Sequence, residues 1–251
     1  MNNTTRFTNR ANNYARFRPG YPAAIIDHLT SAIGLHSAME VADIGSGTGI
    51  SSVLFLDNGH TVYGVEPNDA MRAEAEKYLQ GYDRFHSING TAENTSLPDN
   101  SINIILAGQS FHWFAQQEAK QEFRRIARPD AHILLLWNIR DISTDFSAAY
   151  ERIIARFGRG YEARNRDLAA EDRHTSFFSS SGYCRQTFTH TQLLDYEQLR
   201  GRLLSTSFLP SEEDADCAAM LAELAALFNC YEENGKIRFD YTTTLYTAKI
   251  D

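Results

Sequence analysis

The sequence predicts an α/β fold, a doubly wound and mostly parallel sheet, and three observations carry that prediction. An apolar strand, Val41-Ala42-Asp43-Ile44, runs straight into a glycine turn, Gly45-Ser46-Gly47-Thr48-Gly49. A second apolar strand, His60 to Val65, closes on Glu66-Pro67, which sets an acidic residue about twenty positions beyond the glycines, where doubly wound folds hydrogen-bond a ribose diol. Apolar strand-like runs then alternate with segments of helical period, the pattern of βαβ units. At 251 residues the chain has the length of one α/β domain with a modest insertion.

The glycine turn lets backbone N–H groups approach a nucleotide-like ligand closely. A dinucleotide fingerprint needs a small residue at the sixth position of G-x-G-x-x-G, and here that position is Ile50. A phosphate-binding loop needs a Lys, and Gly45 to Ser52 contains none. Asp43 would repel a pyrophosphate and suits a cation or an amino group. The segment resembles the first motif of class I S-adenosylmethionine-dependent methyltransferases, in which the glycine turn passes under the amino-acid end of the cofactor. That resemblance implies a Rossmann-like sheet of seven strands with an antiparallel last strand and a small helical cap, and it implies S-adenosylmethionine as cofactor, bound by Asp43, Gly45, Ser46 and Gly47 here.

The preceding segment, Asn13-Tyr14-Ala15-Arg16-Phe17-Arg18-Pro19-Gly20-Tyr21-Pro22, is similar to the Tyr-x-x-Phe-Arg-Pro-x-Tyr-Pro stretch that closes over the cofactor in the same family. Residues 1–30 are therefore expected to form an arm and helix over the site, with an extended piece entering a helix near Ala23. Arg18 presents a fork suited to a carboxylate of the cofactor or of an acceptor; a surface arginine with a buried stem is the alternative reading. Tyr14 is assigned to the cofactor and Tyr21 to the acceptor, and both share that ambiguity.

After the turn, Ser51 to Asp57 reads as a helix and Glu66 is the expected ribose ligand, followed by Pro67-Asn68-x-x-Met71. By resemblance, Pro67 lies beside the cofactor and Met71 packs near the adenine. The stretch Thr91-Ala92-Glu93-Asn94-Thr95-Ser96-Leu97-Pro98-Asp99-Asn100-Ser101 resembles the family's third segment, which implies Ala92 and Glu93 beside the adenine; a carboxylate or carbonyl can accept from its exocyclic amine. The fourth strand ends in Gln109-Ser110-Phe111-His112-Trp113-Phe114. This string resembles a type 11 branch that includes trans-aconitate methyltransferase-like small-molecule enzymes. Ligands of open α/β sheets sit beyond the carboxyl ends of the strands, so Gln109 should face the cofactor and His112 and Trp113 the acceptor. His112 is the candidate catalytic base, a structural histidine being the alternative, and at least two of Phe111, Trp113 and Phe114 are expected in the core.

Further on, Gln117 to Ile126 reads as a helix, Arg128-Pro129-Asp130 as a turn, and His132 to Trp137 as a buried fifth strand. Trp137 and Arg140 join the substrate-binding candidates. Phe146, Ala149, Tyr150, Ile153, Ile154 and Phe157 make one helical face, inside the segment 141–180 expected to cap the acceptor. The rest of the chain reads as a strand from Cys184 to Leu194, a helix from Tyr196 to Leu204, a longer helix with a core stripe from Cys217 to Tyr231, and an alternating strand from Ile237. Phe208 stands where the resembled branch carries an aromatic hydroxyl.

Composition narrows the partners. With 24 Lys+Arg against 32 Asp+Glu and a formal charge of −8, a nucleic-acid substrate is disfavoured, and a small-molecule acceptor is expected, the protein acting as monomer or homodimer. Met1 to Gly20 lacks an apolar core and no run approaches a membrane span, so a cytoplasmic location is expected. The three cysteines and scattered histidines have no metal-ligand spacing. Two rival functions remain: a nicotinamide-dependent oxidoreductase, which would want a small residue at position 50, and a non-catalytic S-adenosylmethionine-binding protein, which would lack a closed acceptor pocket. Methyl transfer would proceed by in-line displacement, with alignment and water exclusion as the protein's main contribution.

Overall fold

The architecture was read from a computed structural model that describes residues 17–161, 177–178 and 182–250. Tyr14 and much of the expected cap lie outside the described residues. Seven strands, β1 (Glu40–Ile44), β2 (Thr61–Val65), β3 (Phe85–Ile88), β4 (Ile102–Gly108), β5 (Ala127–Arg140), β6 (Cys184–Leu194) and β7 (Ile237–Lys249), form one sheet in the order β3-β2-β1-β4-β5-β7-β6. The first five are mutually parallel, and β7 runs antiparallel to both β5 and β6. Helices α1 (Ala24–Ile33), α2 (Ile50–Leu56), α3 (Asp69–Tyr78), α4 (Gln116–Ile126), α5 (Asp145–Phe157), α6 (Tyr196–Leu204) and α7 (Cys217–Tyr231) connect the strands.

The central strands are apolar on both faces because helices cover both. Alternate residues divide between two cores: Ala42, Ile44, Ile105 and Leu135 pack with Phe111 and Phe123 of one layer, while Val41, Ile104 and Leu134 pack with Ile25, Leu29 and Phe55 of the other. A third core joins α5, α6 and α7 to Ile237, Phe239 and Tyr241 of β7. Strand order reverses between β1 and β4, whose registers match Val41 to Ile104 and Asp43 to Leu106. That reversal opens a crevice at the carboxyl ends of both strands.

The expected boundaries hold closely, with one correction. Arg128-Pro129-Asp130 is no turn between elements; β5 is continuous from Ala127. The register on β4 jumps from Ile102 opposite Ala127 to Ile104 opposite His132, so the extra residues bulge out of the strand, with Asp130 in the left-handed region at φ +66°. Asp tolerates that conformation better than most residues, and the bulge lets the chain enter β5 without leaving the sheet. No helix among the described residues is long and apolar enough to cross a membrane, and no group of His, Cys, Asp or Glu there could hold a metal ion.

Candidate active site

The turn after β1 is pinned to the end of β2: the N–H groups of Gly45 and Ser46 donate to the Val65 carbonyl at 2.8 and 3.2 Å. Two of its glycines are obligatory for different reasons. Gly45 has φ +66°, and a Cβ there would stand 2.7 Å from Ser110 Cβ, where the Ser110 hydroxyl donates to the Ile44 carbonyl at 2.6 Å. Gly47 has φ +57° and its Cβ would meet only Met71 Cε at 3.9 Å, so any side chain would project into the open crevice.

Glu66 closes the turn from β2. One carboxylate oxygen accepts from Gly47 N–H at 3.0 Å and the other from Asn68 N–H at 2.9 Å. Burial pushes its pKa up, opposed by these two hydrogen bonds. Asn68 also caps α3, its side-chain oxygen accepting from Met71 N–H at 3.0 Å, and this sets Met71 against the crevice. Across from it, Glu93 accepts from Ala115 N–H at 2.8 Å, which ties the loop after β3 to the start of α4.

Asp43 departs from its expected position facing the ligand. It is fully buried behind the turn and does not line the cavity. One carboxylate oxygen accepts from Ser51 and Ser52 hydroxyls at 2.7 and 2.8 Å, while the other has no hydrogen-bond partner. The cause is strand parity: the sheet face available to position 43 is covered by α2, whose serines meet the carboxylate. Burial raises its pKa to about 6, with the two serines lowering it and Glu66 raising it.

At the end of β4 the backbone turns sharply at Gln109, φ +60°. Its N–H donates to the Leu136 carbonyl and its amide to the Asn138 carbonyl, both at 2.9 Å. The following single turn, Phe111–Trp113, buries Phe111 against Phe177, with ring centroids 4.8 Å apart. That anchor leaves His112 exposed between Trp113 and Trp137, at centroid distances of 4.6 and 5.4 Å. Phe114 packs partly on the core and partly on the cavity.

The glycine turn, Glu66, Met71, Glu93, Gln109, His112, Trp113 and Trp137 border one cavity of about 920 Å3, within the range of ligand sites. Of the residues proposed from sequence, Arg18, Tyr21, Gly45, Ser46, Gly47, Glu66, Pro67, Met71, Ala92, Glu93, Gln109, His112, Trp113, Trp137 and Arg140 line it. Its two ends differ in charge. Glu66 and Glu93 border the glycine turn, whereas the far end, roofed by α5, α6 and β7, carries Arg18, Arg140 and Arg202.

Arg140 pairs with Glu151 and lies over the Tyr150 ring, its Cζ 4.9 Å from the centroid. Arg18 donates to the Ser205 hydroxyl at 3.0 Å. Arg202 and Tyr241 were not foreseen. Arg202 is 6 % exposed, its Cζ lies 5.0 Å from the Tyr241 centroid and 5.7 Å from that of Phe239, and burial lowers its pKa to about 10. A signal was available: Arg202 falls three residues after Leu199 and beside Leu203, a charge on the buried side of an apolar stripe.

Residues 42–135 match the methyltransferase domain family. The chain is 26 % identical over 240 residues to an uncharacterized methyltransferase-like protein of Schizosaccharomyces pombe, covering 94 % of this chain and 92 % of that protein. It is 34 % identical over 149 residues to an uncharacterized methyltransferase of Mycobacterium tuberculosis, covering 58 % of this chain and 57 % of that one. The fold is similar to a solved structure from Anaeromyxobacter dehalogenans named as a candidate type II methyltransferase, with TM-score 0.69, 21 % identity and coverage of 93 % and 98 %.

Proposed function

We propose that this chain, a class I S-adenosylmethionine-dependent methyltransferase, methylates an oxygen of a small-molecule acceptor, a carboxylate in preference to a hydroxyl. The observation that carries this reading is the single cavity with two chemically opposite ends. Near the glycine turn the charged side chains lining the cavity are the carboxylates of Glu66 and Glu93, and Arg72 stays out of the lining, donating to the Glu66 carbonyl, Asp69 and Asn89. That cradle, lined by carboxylates and without a cation, fits a ribose diol and an amino group and does not fit a pyrophosphate. The open space above Gly47, which a Cβ would occupy, is where the methionine end of the cofactor would lie.

In this reading Ser46, Gly47, Glu66 and Pro67 hold the ribose side, while Met71, Ala92 and Glu93 border the adenine. Tyr21 and Gln109 close the region between cofactor and acceptor with Arg18 on the acceptor side of them, and Tyr14, outside the described residues, is proposed as a further cofactor contact. Bound there, S-adenosylmethionine supplies a methyl group on a sulfonium that departs as a neutral thioether. The protein's share is orientation and exclusion of water. Trp113, Trp137 and, from the described part of the segment 141–180, Ile142, Ile154 and Tyr161 wall the acceptor space, and Arg140 and Arg202 supply positive charge to it. A carboxylate is already ionised at neutral pH, so it needs positioning rather than a base. His112 would serve as general base for a hydroxyl acceptor, because its ordinary pKa lies near the working pH.

The test is a turnover screen with labelled S-adenosylmethionine across small carboxylates, phenols, alcohols and amines. Incorporation of label into carboxylates with release of S-adenosylhomocysteine is the expected result. Transfer confined to amines, or to macromolecules, would overturn the reading.

A further inference from the structure

Among the described residues, Arg72, Arg125, Arg140, Arg156, Arg200 and Arg238 each have a carboxylate within ion-pair distance. Arg202 has none, although it is the more deeply buried cation. Among the described residues its Nη1 donates to the Phe17 carbonyl at 3.4 Å. Its Nε and the Tyr241 hydroxyl are buried polar atoms without a hydrogen-bond partner, and both side chains line the cavity. The charges and dipoles acting on it come from Tyr241, Arg18, Tyr150 and Arg140, and none of these supplies a negative charge at neutral pH.

A guanidinium withdrawn from water without an anion is strongly disfavoured. The flanking rings of Phe239 and Tyr241 attract it through their faces but leave its in-plane N–H donors unused. The same Phe239 ring also lies 5.9 Å from Arg140 Cζ, so two guanidiniums share one aromatic wall. Arg140 is neutralised there by Glu151; Arg202 is not. Folding has therefore retained a desolvated cation, a spare Nε–H and a phenol at one end of a ligand cavity.

We infer that Arg202 and the Tyr241 hydroxyl form a carboxylate-binding subsite that selects the acceptor. The inference rests on the reading of this cavity as a small-molecule methylation site, and it narrows the substrate class to carboxylic acids. The planar edge formed by Nε and one terminal nitrogen matches the two oxygens of a carboxylate, and the Tyr241 hydroxyl donates to one of those oxygens from the neighbouring strand. Arg202 acts in recognition and takes no part in bond making.

The experiment uses R202M, R202K and Y241F in the full-length protein, with three measurements: KM for a series of monocarboxylates, dicarboxylates, phosphonates and neutral phenols; Kd for S-adenosylhomocysteine by calorimetry; and the thermal midpoint. In R202M the carboxylate KM should rise roughly 100-fold, and in Y241F roughly 10-fold, as expected for charged and neutral hydrogen bonds lost in a dry site. R202K should recover only a part, since a point charge cannot reproduce the fork. The Kd for S-adenosylhomocysteine should stay within about threefold, and the midpoint of R202M should not fall, because an apolar side chain replaces an unneutralised buried charge. The inference is overturned if R202M weakens S-adenosylhomocysteine in step with KM, if it melts lower with KM unchanged, if phosphonates are preferred over carboxylates, or if phenols are methylated and carboxylates are not. A wild-type protein that binds S-adenosylhomocysteine and methylates no small acceptor would overturn the small-molecule reading itself, and this inference with it.

Discussion

The carboxylate of Glu66 accepts a hydrogen bond from the backbone N–H of Gly47 at 3.0 Å, so the acidic end of β2 and the glycine turn after β1 form one rigid wall. The same carboxylate is the expected partner of the ribose hydroxyls. We expect E66A to weaken S-adenosylhomocysteine roughly 100-fold, the scale of losing two hydrogen bonds to a charged group. Calorimetry checks this, and an unchanged Kd would remove Glu66 from the cofactor site. Because burial raises the pKa of Glu66, affinity that depends on its ionised form should weaken on acidification sooner than an ordinary glutamate would allow.

Gly47 offers a sharper test of the same wall. At φ +57° a valine is strained by about 1–3 kcal/mol, which the fold should survive with a midpoint lowered by several degrees. The side chain would stand in the crevice near Met71. G47V should therefore be folded by circular dichroism and give no calorimetric signal with S-adenosylhomocysteine.

His112 separates the two acceptor chemistries. With a carboxylate no proton is removed, so H112A should lower kcat by less than about tenfold and leave its pH profile unchanged. A loss of roughly 100-fold or more, with disappearance of a limb near the histidine pKa, would make His112 the base for a hydroxyl acceptor. Stopped turnover across neutral pH distinguishes them.

Asp43 couples the turn to pH through stability. Its folded pKa is raised from 3.8 to about 6, so the native state holds a proton that the unfolded chain releases. This contribution is present below the unfolded value and is lost as pH rises through the folded one. Relative to wild type, D43N should gain about 2 kcal/mol on going from about pH 4 to about pH 7, the integral of that shift. Urea denaturation at both pH values measures it, and an equal difference at the two would show that Asp43 titrates normally.

Much of the cavity lining around the glycine turn was legible in the linear chain. Gly45, Gly47, Glu66, Met71, Ala92 and Glu93 lie at or just beyond the ends of successive strands, and such ends converge in a doubly wound sheet whatever the loops do. Asp43 faces α2 and not the cavity, because a motif records which residue is present, whereas the face it occupies depends on which helix covers it; here α2 supplies Ser51 and Ser52. Arg128 to Asp130 reads as a turn by composition and becomes a bulge because β4 stays in register on both sides of it.

By itself, then, the sequence determined the alternation of strands and helices and the glycine turn, since these depend on backbone conformation and on spacing within a few tens of residues, and its resemblance to a family implied the methyl donor. Only the tertiary structure decided the acceptor end. Arg202 on α6 meets Arg140 on β5 across the Phe239 ring because β7 inserts between β5 and β6, and no local period encodes that insertion. The charge of an arginine is written in the chain; its having no carboxylate beside it among the described residues is a property of the packed core, and removal from water is what makes that missing partner the basis of the proposed subsite.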